Sequence, residues 1–127
     1  VTGRYDVSLR IPADSAYVSI LRTATAGLAA RLDFTLDDIE DLRIAVDEAC
    51  ALLLPQAVLG SELDCGFWVR PDSLTVEVTA ISPEPRVPAR DGFAWTVLTA
   101  LASQVDARTD NDAVTLSLVR RREGATR

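Results

Sequence analysis

Residues 36–54 read Leu36-Asp37-Asp38-Ile39-Glu40-Asp41-Leu42-Arg43-Ile44-Ala45-Val46-Asp47-Glu48-Ala49-Cys50-Ala51-Leu52-Leu53-Leu54, and this stretch decides the fold. Leu36, Ile39, Leu42, Val46, Ala49 and Leu53 recur at three- and four-residue steps, which predicts a helix with one apolar face. Thr35 followed three residues later by Asp38 approximates a capping box, and Asp37 and Asp38 suit the positive end of the helix dipole. Pro55 prevents smooth continuation, so the helix is expected to end near Leu54. Asp41 and Glu48 lie a heptad apart on another face, with Leu52 four residues beyond Glu48.

Upstream, Tyr5 to Ile11 alternates apolar and polar residues, the pattern of a half-buried strand, and Pro12 closes it. Asp14 or Ser15 then caps a helix whose inner positions are expected at Tyr17, Ile20, Leu21, Ala24, Leu28 and Leu32. Downstream, Leu63 to Arg70 and Leu74 to Ala80 are expected strands, joined as a hairpin by Pro71-Asp72-Ser73. Residues 81–91 contain Pro83, Pro85 and Pro88 and are expected to be irregular. Gly92 to Ser103 resumes a helical pattern through Phe93, Trp95, Val97, Leu98 and Leu101. Two strands close the chain, Val105 to Thr109 and Ala113 to Arg120, around Asp110-Asn111-Asp112, and Arg121 to Arg127 is expected to fray. The order β-α-α-β-β-loop-α-β-β predicts a two-layer α/β sandwich, with a mostly antiparallel sheet and the helices on one face. With no linker and no repeat, residues 1–127 read as a single domain.

Composition narrows the chemistry. A chain with 48% hydrophobic and 25% charged residues is of globular type, not disordered or collagen-like. Nineteen acidic residues against thirteen basic ones give a net charge of −6, which disfavours direct binding to nucleic acid. All the basic residues are Arg, so no Lys serves as nucleophile or phosphate clamp, and without His the usual neutral-pH base and metal ligand is missing. Cys50 and Cys65 sit in apolar segments and read as two small buried residues in a reducing compartment. No apolar run approaches the ~20 residues of a membrane span. Val1 to Arg10 lacks the pattern of a signal peptide, so a cytoplasmic location is expected.

The element order, together with Leu42-Arg43-Ile44-Ala45-Val46-Asp47-Glu48-Ala49-Cys50, resembles the anti-sigma factors of the RsbW type. These belong to the GHKL ATPase/kinase superfamily, with the Bergerat fold. The resemblance extends across nearly the whole chain, and residues 92–101 resemble the helix after the family's nucleotide lid, chiefly in actinobacterial members. It implies a protein that holds a sigma factor of the sporulation or general-stress class away from RNA polymerase. A STAS-domain antagonist (an anti-anti-sigma factor) competes for the same anti-sigma factor, and active members phosphorylate it on serine with ATP and magnesium. Homodimerisation is implied as well.

The residues that carry this chemistry in the family are altered here. The family pairs a Glu with an Asn four residues later on one helix, the Asn helping to hold magnesium and the Glu activating the attacking hydroxyl. The Glu corresponds to Glu48, but Leu52 occupies the Asn position and has no oxygen for a hard cation. The family's Asp-x-Gly-x-Gly, which binds the adenine amino group, falls on Ala80, Ser82 and Glu84. Its Gly-x-Gly phosphate cradle falls on Arg90-Asp91-Gly92, keeping one glycine of the two. Glu48 is therefore a residual general-base position, expected to be inactive. Leu52, Ala80, Ser82, Glu84, Arg90 and Gly92 are degenerate nucleotide-binding positions. No metal site and no cofactor are expected, and ATP with magnesium enters only if the chain is an active kinase.

Other features have two readings each. Glu48 either pairs with an Arg such as Arg43 or touches a partner, and the acidic cluster Asp37, Asp38, Glu40 and Asp41 is either a solvated helix start or a contact for a basic surface. Phe93 and Trp95 are core residues or interface anchors. Trp68 alternates with Phe67, so one of the two faces away from the helices. Arg120-Arg121-Arg122 reads as a solvated tail or an acidic partner's contact. Three functions follow: a sigma-binding protein with a decayed nucleotide pocket, an active protein-serine kinase, or a sensor whose emptied pocket takes an apolar small molecule.

Overall fold

The computed structural model describes residues 5–122. Its elements are β1 (Val7–Pro12), α1 (Val18–Arg31), α2 (Leu36–Leu53), β2 (Glu62–Arg70), β3 (Ser73–Ile81), α3 (Phe93–Leu101), β4 (Gln104–Asp110) and β5 (Ala113–Arg121). The five strands form one sheet in the order β1-β2-β3-β5-β4, every neighbouring pair antiparallel. Fold class and element order agree with the expectation from sequence. The part of the expected frayed tail from residue 123 onward lies outside the described residues.

Period-two alternation assigns the sheet's faces. Leu63, Cys65 and Phe67 of β2, Leu74, Val76, Val78 and Ala80 of β3, and Val114, Leu116 and Leu118 of β5 are buried. They share a core with Leu42, Ala45, Val46, Ala49, Cys50 and Leu53 of α2 and Leu98 of α3. Fully burying side chains of this kind contributes about 1.5–3 kcal/mol each. Thr35 caps α2 as expected, accepting a hydrogen bond from the Asp38 N–H at 3.0 Å.

Four details differ from the sequence reading. Pro12 closes β1 as expected but is itself the strand's last residue, opposite Glu62, a place where an edge strand tolerates a residue without an N–H, and the strand begins at Val7 rather than Tyr5. A 3₁₀ turn, Ser15–Tyr17, capped by Asp14, precedes α1 and takes Tyr17 out of the helix. The most buried positions are Val18, Leu21, Thr25 and Ala29, and the expected Ala24, Leu28 and Leu32 pack half-buried against the core, whereas Tyr17 and Ile20 are exposed. Thr25 is tolerated inside because its hydroxyl donates to the Leu21 carbonyl at 2.8 Å. Leu36, at the first turn of α2, is 84% exposed rather than part of the inner face.

The fourth correction concerns charge. Arg120 is not part of a solvated tail. Its guanidinium lies 2.6 Å from the buried Asp38 carboxylate and 3.2 Å from Asp41, and it also donates to the Leu101 carbonyl. One side chain thereby joins β5 to the start of α2 and the end of α3. Asp38 and Asp41 are occupied inside the molecule, so of the acidic cluster only Asp37 and Glu40 remain exposed.

Candidate functional site

The expected site residues lie on α2, at the end of β3, on the irregular segment 82–92 and at the start of α3. Glu48 is half-buried on α2 and, among the described residues, makes no ion pair or side-chain hydrogen bond. Its expected partner Arg43 instead faces Glu40 at 3.6 Å. Leu52, one turn further on, packs against the core. Ala80 is fully buried, opposite Val114 of β5. Its side chain belongs to the apolar interior and offers no acceptor.

Beyond β3 the chain does not form an open glycine-rich loop. The Ser82 N–H donates to the Asp112 carbonyl at 2.7 Å, which fastens the segment to the β4–β5 turn. Ser82 itself is 1% exposed, and its Oγ is buried without a hydrogen-bond partner. Glu84 is exposed. Arg90 places its guanidinium carbon 4.5 Å from the centre of the Trp95 ring, a cation–π contact that turns the charge toward the protein. Gly92 caps α3 with extended backbone, and a Cβ there would meet the Ala89 carbonyl oxygen at 3.2 Å. Phe93 and Trp95 divide: Trp95 is in the core, while Phe93 is 83% exposed.

Two contributors are not legible from sequence. Gln56, just after Pro55, donates from Nε2 to the Arg86 carbonyl at 2.9 Å, and its Oε1 accepts from the Arg86 N–H at 3.0 Å. A cavity of about 300 Å³ beside it is lined by Pro55, Gln56, Ser82, Pro83, Glu84 and Arg86, and not by Leu52 or Ala80. That arrangement counts against an apolar sensor pocket at those two positions. The second contributor is on the face of the sheet away from the helices. There Glu77 is only 6% exposed, accepting from the Tyr5 hydroxyl at 3.0 Å and from both terminal nitrogens of Arg108 at 3.3 Å. Burial, then the Glu77 hydrogen bond, raises the Tyr5 pKa above its ordinary value. The Tyr5 ring crosses Gly66, where a Cβ would lie 2.2 Å from it, and sits 4.7 Å from the Trp68 ring. Of Phe67 and Trp68, Trp68 is thus the outward residue.

Cys50 and Cys65 are free and buried, and burial pushes both thiols up to about 12. Among the described residues no group of three or more His, Cys, Asp or Glu side chains is placed to hold a metal ion. No helix among them is long and apolar enough to cross a membrane. At the positions singled out from the sequence, Leu52 and Ala80 present no side-chain oxygen and Glu84 is an exposed carboxylate.

No family model matches the chain. It is 35% identical over 99 residues to the anti-sigma-F factor RsbW of Mycobacterium tuberculosis, a match covering 78% of this chain and 59% of that protein. It is 41% identical over 75 residues to the serine-protein kinase RsbW of Bacillus velezensis, covering 57% of this chain and 47% of the relative. The crystal structure of the RsbU and RsbW domains of Rv1364c from Mycobacterium tuberculosis matches 91% of this chain and 31% of that one, with TM-score 0.68 at 14% identity. The class is therefore an α/β sandwich with the fold of that RsbW domain. In sequence the chain is similar to these RsbW proteins, and it spans 59% or less of the length of the two curated relatives named here.

Proposed function

We propose that this chain is an anti-sigma factor domain that sequesters an alternative sigma factor of the stress or sporulation type, without ATP-dependent kinase activity. The observation that carries the reading is the combination of 35% identity to an anti-sigma-F factor over 78% of the chain with Leu52 and a buried Ala80 at the nucleotide-ligating positions. Inhibition is steric in this reading, and takes place in the cytoplasm, where RNA polymerase works. Release comes from a competing STAS-domain anti-anti-sigma factor, and the domain pairs with a second copy as its family does. No cofactor is needed.

Titration calorimetry with Mg-ATP tests the nucleotide half: no binding is expected in the micromolar range, and micromolar binding rejects it. Co-purification of the tagged protein from its native host, followed by mass spectrometry, tests the other half. A sigma factor is the expected companion, and its consistent absence counts against the proposal. A second reading, an active protein-serine kinase, is favoured by the relatives named serine-protein kinase RsbW and by Glu48, which forms no ion pair among the described residues. Under that reading a STAS-domain partner incubated with labelled ATP becomes phosphorylated on serine, and Glu48→Ala abolishes the transfer.

A further inference from the structure

The segment 82–92 is tied down at successive points. Ser82 donates its N–H to the Asp112 carbonyl at 2.7 Å. Arg86 exchanges two hydrogen bonds with the Gln56 carboxamide, at 2.9 and 3.0 Å. Arg90 lies over Trp95 of α3. Pro83, Pro85 and Pro88 fix φ at three further positions, which lowers the entropy that closure costs. The carboxamide of Gln56 acts here as a strand neighbour would, donating to and accepting from the backbone of one residue. It is carried on the 3₁₀ turn Leu54–Gln56 that continues α2, so it links the end of that helix directly to the middle of the segment.

We infer that residues 82–92 form a fixed strap, latched by Gln56, that stays closed over the end of α2 and does not open and shut with nucleotide. This goes beyond sigma-factor capture, because the latch needs neither partner nor ligand to form. The Arg86 amide reports on it, since its acceptor is the Gln56 side chain.

Amide exchange followed by NMR on the whole chain is the test. In the unsubstituted protein the Arg86 amide is expected to exchange at least about tenfold more slowly than in an unstructured peptide. Gln56→Leu removes both partners and should bring Arg86 to the peptide rate, while Ser82, held by Asp112, keeps its protection. Gln56→Glu retains the acceptor for the Arg86 N–H but sets a carboxylate oxygen against the Arg86 carbonyl, so Arg86 protection should fall, by less than in Gln56→Leu. Millimolar Mg-ATP should leave the Arg86 rate unchanged. Peptide-like exchange of Arg86 in the unsubstituted protein, or equal protection in Gln56→Leu, overturns the latch. A change in the rate on adding Mg-ATP shows a moving lid and overturns the fixed closure. If Gln56→Leu unfolds the chain, the decision passes to Gln56→Glu, in which Arg86 protection equal to that of the unsubstituted protein overturns the latch. Because no sigma factor is present, failure here leaves the capture proposal standing, and failure of capture leaves the latch standing.

Discussion

At the scale of single residues, the two thiols make the clearest prediction. Their ordinary value is 9.0, and burial in the fold pushes both up to about 12. Between those values the unfolded chain releases protons that the folded chain retains. Stability is therefore full below pH 9 and falls as pH rises, by about 1.4 kcal/mol per pH unit for each thiol. Urea melts at pH 8, 10 and 11 should show a shallower loss for Cys50→Ala than for the unsubstituted chain. Equal slopes would mean that Cys50 titrates normally. The burial of these cysteines was legible from their apolar surroundings. The fates of Phe93 and Trp95 were not: they stand two residues apart on α3, and only the direction of that helix against α2 decides which enters the core.

At the scale of elements, the hairpin of β4 and β5 turns on Asn111, whose φ is 54°. This left-handed conformation suits Asn and Gly and penalises a β-branched side chain. Asn111→Val should cost about 1–2 kcal/mol and Asn111→Gly should be close to neutral, as thermal unfolding would report. The Asp110-Asn111-Asp112 run announced this turn in the sequence, because short polar residues mark such positions. The inner stripe of α1 was harder to read. Hydropathy favours Tyr17 and Ile20, but the stripe of Val18, Leu21, Thr25 and Ala29 faces the core, with the Thr25 hydroxyl satisfied by the Leu21 carbonyl. Gln56 gave no signal either, since one amide in a loop is unremarkable until its partner, thirty residues on, is known.

At the scale of the molecule, Arg120 holds two layers together. It reaches from β5 to Asp38 and Asp41 on α2 and to the Leu101 carbonyl at the end of α3. Asp38 is 2% exposed, so removing its cation leaves a buried carboxylate without this partner. Arg120→Ala should destabilise the fold by about 3–5 kcal/mol, read as a lower denaturation midpoint at unchanged m-value. A loss below about 1 kcal/mol would show that water replaces the pair. Arg121 and Arg122 follow in the same run, yet sequence alone cannot rank the three, because the acidic partners lie 82 and 79 positions away.

Local patterns determined the order of elements and the antiparallel sheet, and they place side chains without oxygen at Leu52 and Ala80. Each depends on residue type and near-neighbour spacing, which a linear chain displays directly. Tertiary structure alone decided that Glu77 is enclosed by Tyr5 and Arg108, that Arg120 bridges two helices, and that Gln56 holds the strap. These contacts join residues far apart in the chain, and their partners are chosen by how sheet and helices pack.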